Sequence, residues 1–129
     1  VLPSAAGRRI ANENDVKAML VPLGYEPFDP TTATVRQQID TYASCSTIVT
    51  PSGGALANLV FAAPGTRVII IHHRSFVKRS RDQPFDGLIL ACRHAATVLE
   101  SESARLAPGQ RLTDSDLLVD LDALRAAVN

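Results

Sequence analysis

Apolar and polar positions along the chain alternate in short segments. Val16, Met19, Leu20 and Leu23 recur at i, i+3, i+4 and i+7, which predicts one apolar helix face, and Gly24 is placed to stop it. Asn12 is the expected N-cap of that helix, with Glu13 and Asp15 in the first turn, where acids are favoured. Residues 25–28 predict a short strand closed by Asp29-Pro30. Thr34 and Gln37 have capping-box spacing ahead of the stripe Val35, Ile39, Tyr42, Ala43. Residues 46–50 then read as a strand, 54–62 as a helix and 67–71 as a strand. With Val1 and Leu2 as the end of an earlier strand, the order is β-α-β-α-β-α-β. Short connections and this alternation predict an α/β domain in three layers, a mainly parallel sheet with helices on both faces.

After Ile71 the pattern weakens. Residues 72–83 are polar and basic and predict a loop. Residues 85–94 read as a helix, 96–101 as a strand and 107–115 as a loop. Residues 117–121 are a short apolar run, and Asp122 is the expected cap of a last helix through residue 128. Nothing in the pattern divides the 129 residues, so one domain is expected over residues 1–129. The first residue is Val, which suggests a piece of a longer chain.

Composition changes this picture little. The chain is 46% hydrophobic and 20% charged, within the globular range. Thirteen basic and thirteen acidic residues cancel, which removes a general electrostatic reason for binding nucleic acid or membranes. No run of about 20 apolar residues suggests a membrane span. Arginine far outnumbers lysine and alanine is abundant, which suggests a GC-rich bacterial source. Cys45 and Cys92 both lie in apolar settings and predict two buried thiols, with a single disulfide left open.

The strongest candidate chemistry is Thr50-Pro51-Ser52-Gly53-Gly54, where a predicted strand hands over to a helix. A helix N-terminus offers unpaired N–H groups and partial positive charge, and glycines let an anion approach the backbone. Ser52 adds a hydroxyl donor. A plain βα turn that uses glycine for its geometry stands beside this reading, and no P-loop lysine or G-x-G-x-x-G pattern decides between them. Arg8, Arg9, Asn12 and Glu13 form a second cluster after the presumed first strand. They could meet phosphate and sugar hydroxyls, but spacing alone favours an ordinary helix start with two solvated arginines. His72, His73, Arg74, Lys78, Arg79 and Arg81 make a basic loop whose default is solvation and whose second reading is anion contact. Two adjacent histidines with no acid beside them are a poor metal site. Asp114, Asp116, Asp120 and Asp122 are explained by a polar strand edge and a helix cap.

Arg8-Arg9-Ile10, Asn12-Glu13, Leu23-Gly24-Tyr25, the stretch from Ile48-Val49 to Asn58, and Phe61 to Thr66 occur in that order. Together they resemble the C-terminal half of glycosyltransferase family 61 enzymes and related capsular polysaccharide biosynthesis proteins. The resemblance implies a Rossmann-like domain, the donor side of a GT-B enzyme. It implies an inverting transfer from a nucleotide sugar to a glycan acceptor, with no bound metal and no cofactor beyond that substrate. The partners it implies are the nucleotide sugar, the acceptor and an N-terminal domain of the same protein, in the bacterial cytoplasm or at the inner membrane. The donor-binding positions it implies are Arg8, Arg9, Asn12, Glu13, Ser52, Gly53, Gly54 and Asn58; it assigns no catalytic residue. The family usually carries His where this chain has Ser52, Ala at Gly54, Gly at Ala55 and an acid at Ile70. A serine hydroxyl cannot exchange a proton near neutral pH as imidazole can. The alternative is therefore a non-catalytic GT-B-like module for assembly or glycan binding.

Overall fold

The computed structural model describes residues 9–74, 85–104, 108–109 and 115–129. The expected first strand at Val1-Leu2, Arg8, Asp114 and the basic residues Lys78, Arg79 and Arg81 lie outside them.

Helix α1 (Glu13–Leu20) buries Val16 and Leu20 and runs into a 3-10 turn, Val21–Leu23. Gly24 ends it with φ of 89°, a left-handed conformation that glycine adopts without a Cβ penalty. Helix α2 (Val35–Ser44) opens with the predicted capping box. The Gln37 N–H donates to the Thr34 hydroxyl at 3.2 Å, and the Thr34 N–H donates to Gln37 Oε1 at 2.8 Å. Strand β1 (Thr47–Pro51) follows, then a 3-10 helix, Gly54–Phe61, and strand β2 (Arg67–His73). Helix α3 (Asp86–Ala91), strands β3 (Ala95–Ser103) and β4 (Leu117–Leu118) and helix α4 (Leu121–Val128) complete the described chain.

The sheet order is β1-β2-β3-β4. β1 pairs with β2, and β2 with β3, in parallel, whereas β4 runs antiparallel to the end of β3. The sheet is therefore mixed and curls into a half-barrel, and the expectation of a mainly parallel sheet is corrected. The cause lies in the last segment. After β3 the chain turns back, and two residues of β4 pair with Glu102 and Ser103 before α4 begins. Ile10 bridges Leu117 in parallel, so the N-terminal segment sits beyond β4, across the sheet from β1.

Alternation along β2 builds two cores. Val68 and Ile70 pack with Ile48, Tyr42, Leu56 and Leu59 on one face. Ile69 and Ile71 pack with Val16, Leu20, Leu117 and Leu124 on the other. Each fully buried aliphatic side chain contributes about 1.5–3 kcal/mol. Helices thus cover both faces of β1 and β2, while β3 is mostly exposed, Val98 at 41%. The three-layer expectation holds only for that part of the sheet.

Other expectations are also revised. Residues 25–28 form no strand. The helix expected at 54–62 is 3-10. Asp120, not Asp122, caps α4, accepting from the N–H groups of Asp122 and Ala123 at 3.0 Å each. Cys45 and Cys92 are half-buried free thiols, with no disulfide. Arg67, at the start of β2, donates to the carbonyls of Ala127 and Val128 and so closes the C-terminal end of α4. His94 Nε2 lies 2.8 Å from the Leu59 carbonyl, which can only accept, so Nε2 carries the hydrogen.

Candidate functional site

β1 delivers the glycine turn to the C-terminal end of the parallel strands. The Arg67 N–H donates to the Ser46 carbonyl at 3.0 Å and the Ser52 N–H to the Ile71 carbonyl at 2.8 Å. Even-numbered residues of β1 therefore aim their backbone groups at β2, and odd-numbered ones face the free edge. Pro51, which has no N–H, occupies an outward position and costs the ladder nothing. The Ser52 N–H is engaged by the sheet, so Ser52 offers a ligand its hydroxyl alone.

The turn itself is open. The first amide bonded beyond it is that of Leu56, 3.0 Å from the Gly53 carbonyl. The N–H groups of Gly54 and Ala55 open the 3-10 helix, ahead of that bond. A Cβ built at Gly53 or Gly54 meets nothing within 4 Å. From below, the Tyr42 hydroxyl donates to the Ala55 carbonyl at 3.4 Å. Burial raises the Tyr42 pKa above the ordinary phenol value, against a smaller lowering by its hydrogen bond with Asn58. The Asn58 amide also donates to Gln38 Oε1 at 3.0 Å, tying the 3-10 helix to α2. Asn58 is thus a brace under the turn.

The second cluster is built differently. The Asn12 side chain makes no cap bond. Its amide donates to the Val119 carbonyl at 2.9 Å, and its Oδ1 accepts from the Val119 N–H at 3.0 Å. Glu13 pairs with Lys17 at 2.5 Å, one helical turn on. The exposed Arg9 donates its N–H to Asp116 Oδ1 at 3.0 Å. This cluster lies level with the end of β3, because the Ala104 N–H bonds the Asp116 carbonyl at 2.8 Å. It therefore shares the C-terminal edge with the glycine turn, but β2, β3 and β4 stand between them. On a flat sheet that separation would be about 19 Å, which the curl shortens. Arg9, Asn12 and Glu13 are close together, as are Ser52, Gly53, Gly54 and Asn58; three strands separate the two groups. Arg8 lies outside the described residues.

Residues that spacing could not pair lie between the groups. His73, on the α1 side of β2, hydrogen-bonds the Ser103 hydroxyl of β3. Arg74 follows, its Nε 3.2 Å from Glu100 and its Nη1 2.5 Å from Glu102. The sequence predicts a loop at His73 and Arg74, whereas His73 ends β2, and the acids that pair with Arg74 lie 26 and 28 residues downstream, with no local signal. Among the described residues no group of three His, Cys, Asp or Glu side chains could hold a metal ion. No described helix is long and apolar enough to cross a membrane.

A groove of about 620 Å³ runs along the free edge of β1, lined in part by Leu20, Tyr25, Phe28, Cys45, Val49 and Pro51. It reaches the glycine turn only at Thr50 and Pro51. Burial, and then the carboxylate of Glu26, push the Cys45 thiol above its ordinary pKa. Asp29 is held below its ordinary value by hydrogen bonds from the Thr31 hydroxyl and N–H.

A family model described as Glycosyltransferase 61 matches residues 3–69, just over half of the chain. The matched stretch contains α1, α2, β1 and the whole glycine turn. No curated protein and no solved structure matches significantly.

Proposed function

Because the chain belongs to the glycosyltransferase 61 family, we propose that it is the Rossmann-like, donor-side domain of a GT-B glycosyltransferase. The diphosphate of a nucleotide sugar rests on the Ser52–Gly54 turn, and a glycan acceptor is presented by a partner domain of the same protein. The observation that carries this reading is the open space above Gly53 and Gly54, beside the amides that open the 3-10 helix. Neither glycine is crowded, and Gly53, with φ of 161°, is extended, so packing does not account for the pair. Room for a ligand against the backbone does.

In the proposed inverting, metal-independent transfer, an acceptor hydroxyl attacks the anomeric carbon as its bond to the diphosphate oxygen breaks. The hydroxyl proton passes to a base, and the nucleoside diphosphate leaves against backbone amides and cationic side chains. Ser52 can donate a hydrogen bond to the leaving group but cannot be that base. The product would enter a capsular or surface polysaccharide in a bacterium.

The test is calorimetry with a panel of nucleotide sugars, repeated with Gly53→Asp. Micromolar-to-millimolar binding of one donor that the aspartate abolishes supports the reading. No binding across the panel, or equal binding by the variant, removes it.

Ser52 in the family's His position favours a second reading, a non-catalytic module for assembly or glycan binding. Sugar transfer by the full-length protein that drops sharply in Ser52→Ala would rule that out.

A further inference from the structure

We infer that Arg74 is an exchangeable counter-charge for the diphosphate, held away from the glycine turn by Glu100 and Glu102 until a ligand arrives. The inference rests on the donor-site reading above and adds to it a residue outside the family-matched stretch.

β2 is the strand between β1 and β3. Pro51 is in register with Ile71, and His72 with Glu100. Ile48, Val68 and Ile70 share one core. Strand alternation carries that same face on through Thr50 of β1 and His72 of β2, and Arg74, which is helical, is the first residue after β2. Arg74 thus follows the end of the middle strand, with the glycine turn on one flank and the two glutamates on the other. Adjacent strands are about 4.8 Å apart. Arg74 follows β2 directly, so the ends of both flanking strands lie about one spacing from its backbone, within the span of an arginine side chain.

In the structure the guanidinium leans toward β3, 3.2 Å from Glu100 and 2.5 Å from Glu102. All three side chains are well exposed, at 53%, 40% and 60%. Ion pairs this wet hold weakly, because solvent screens them and ordering long side chains costs entropy. A diphosphate offers the same guanidinium two or more anionic oxygens in a geometry it binds bidentately, next to the Gly54 and Ala55 amides that open the 3-10 helix. The exchange also accounts for two carboxylates beside an anion site. They pair the cation when the site is empty and are released to water when it fills.

The experiment is calorimetry of the protein with a panel of nucleoside diphosphates, using wild type, Arg74→Ala, Arg74→Lys, Glu100→Gln/Glu102→Gln and the triple variant that combines the glutamines with Arg74→Ala. Arg74→Ala is expected to weaken binding about tenfold or more, and Arg74→Lys to recover part of it. The glutamine pair is expected to tighten binding severalfold in wild type and much less when Arg74 is absent. An equal gain in both backgrounds would show that the acids act by general repulsion, which overturns the inference. Full affinity in Arg74→Ala, with binding still abolished by Gly53→Asp, overturns it and leaves the donor site standing. Failure of wild type to bind any nucleoside diphosphate removes both.

Discussion

Asn12 and Val119 are joined by a pair of hydrogen bonds in which a side chain imitates a strand partner. The Asn12 amide donates to the Val119 carbonyl at 2.9 Å, and the Val119 N–H donates back to Asn12 Oδ1 at 3.0 Å. The contact spans 107 residues and locks the start of α1 to the segment before α4, beside the buried side chains of Ile10, Leu117 and Val119. Removing it leaves two backbone groups short of partners at a part-buried site. Asn12→Ala is expected to cost about 2–3 kcal/mol, and Asn12→Asp to fare no better at neutral pH, since a carboxylate cannot donate to the carbonyl. Urea denaturation measures both. A loss of donor affinity with unchanged stability would instead make Asn12 a ligand contact.

A brace of this kind could not be read from the sequence, because Asn12 before Glu13 and Asp15 carries every local mark of an N-cap. Local chemistry did succeed where both partners are near in sequence. Thr34 and Gln37 form the predicted box, and Gly24 takes the left-handed cap. The strands at Thr47–Pro51 and Arg67–His73 were legible because apolar runs bounded by turn residues leave little choice. Residues 25–28 have the composition of a strand but join no ladder, and line the groove along the free edge of β1 instead. The antiparallel β4 is two residues long, too short for any period to show. At the site, the turn was visible as a motif. The Arg74 ion pairs and the His73–Ser103 contact depend on register between strands far apart in sequence.

Thr34 is the clearest local contribution to stability. Its hydroxyl accepts from the Gln37 N–H, and the Gln37 side chain answers at the Thr34 N–H. Thr34→Ala removes an acceptor for a helix-start amide and is expected to cost about 1 kcal/mol. Thr34→Ser keeps the oxygen and should cost little. Thermal melts of the two variants should separate; coincident melts would show that the box is solvated and contributes nothing.

Gly53→Ala separates folding from binding. The added methyl meets nothing within 4 Å and the backbone there is extended, so stability should change by no more than about 0.5 kcal/mol. On the donor-site reading the same methyl stands where the diphosphate would approach the amides, so donor affinity should fall at least severalfold. Chemical denaturation and calorimetry on one preparation give both values. Equal losses of stability and affinity would mean that the glycine serves the fold.

Cys45 offers a test of the groove beside β1. Its thiol bonds the Thr41 carbonyl at 3.1 Å, and burial followed by the Glu26 carboxylate raises its pKa. A raised pKa means less thiolate at any pH below it, so alkylation at pH 8 should run slower than for a peptide thiol. The rate should climb about tenfold per pH unit over a window that extends above the ordinary thiol range. Glu26→Gln removes the smaller of the two causes and should quicken the reaction modestly at fixed pH, while burial continues to hold the rate below that of the peptide. Mass spectrometry that follows the peptide containing Cys45 resolves it from Cys92. An unchanged rate in Glu26→Gln would leave burial as the sole cause. A rate equal to that of the peptide would show that the groove is open to solvent along the whole of β1.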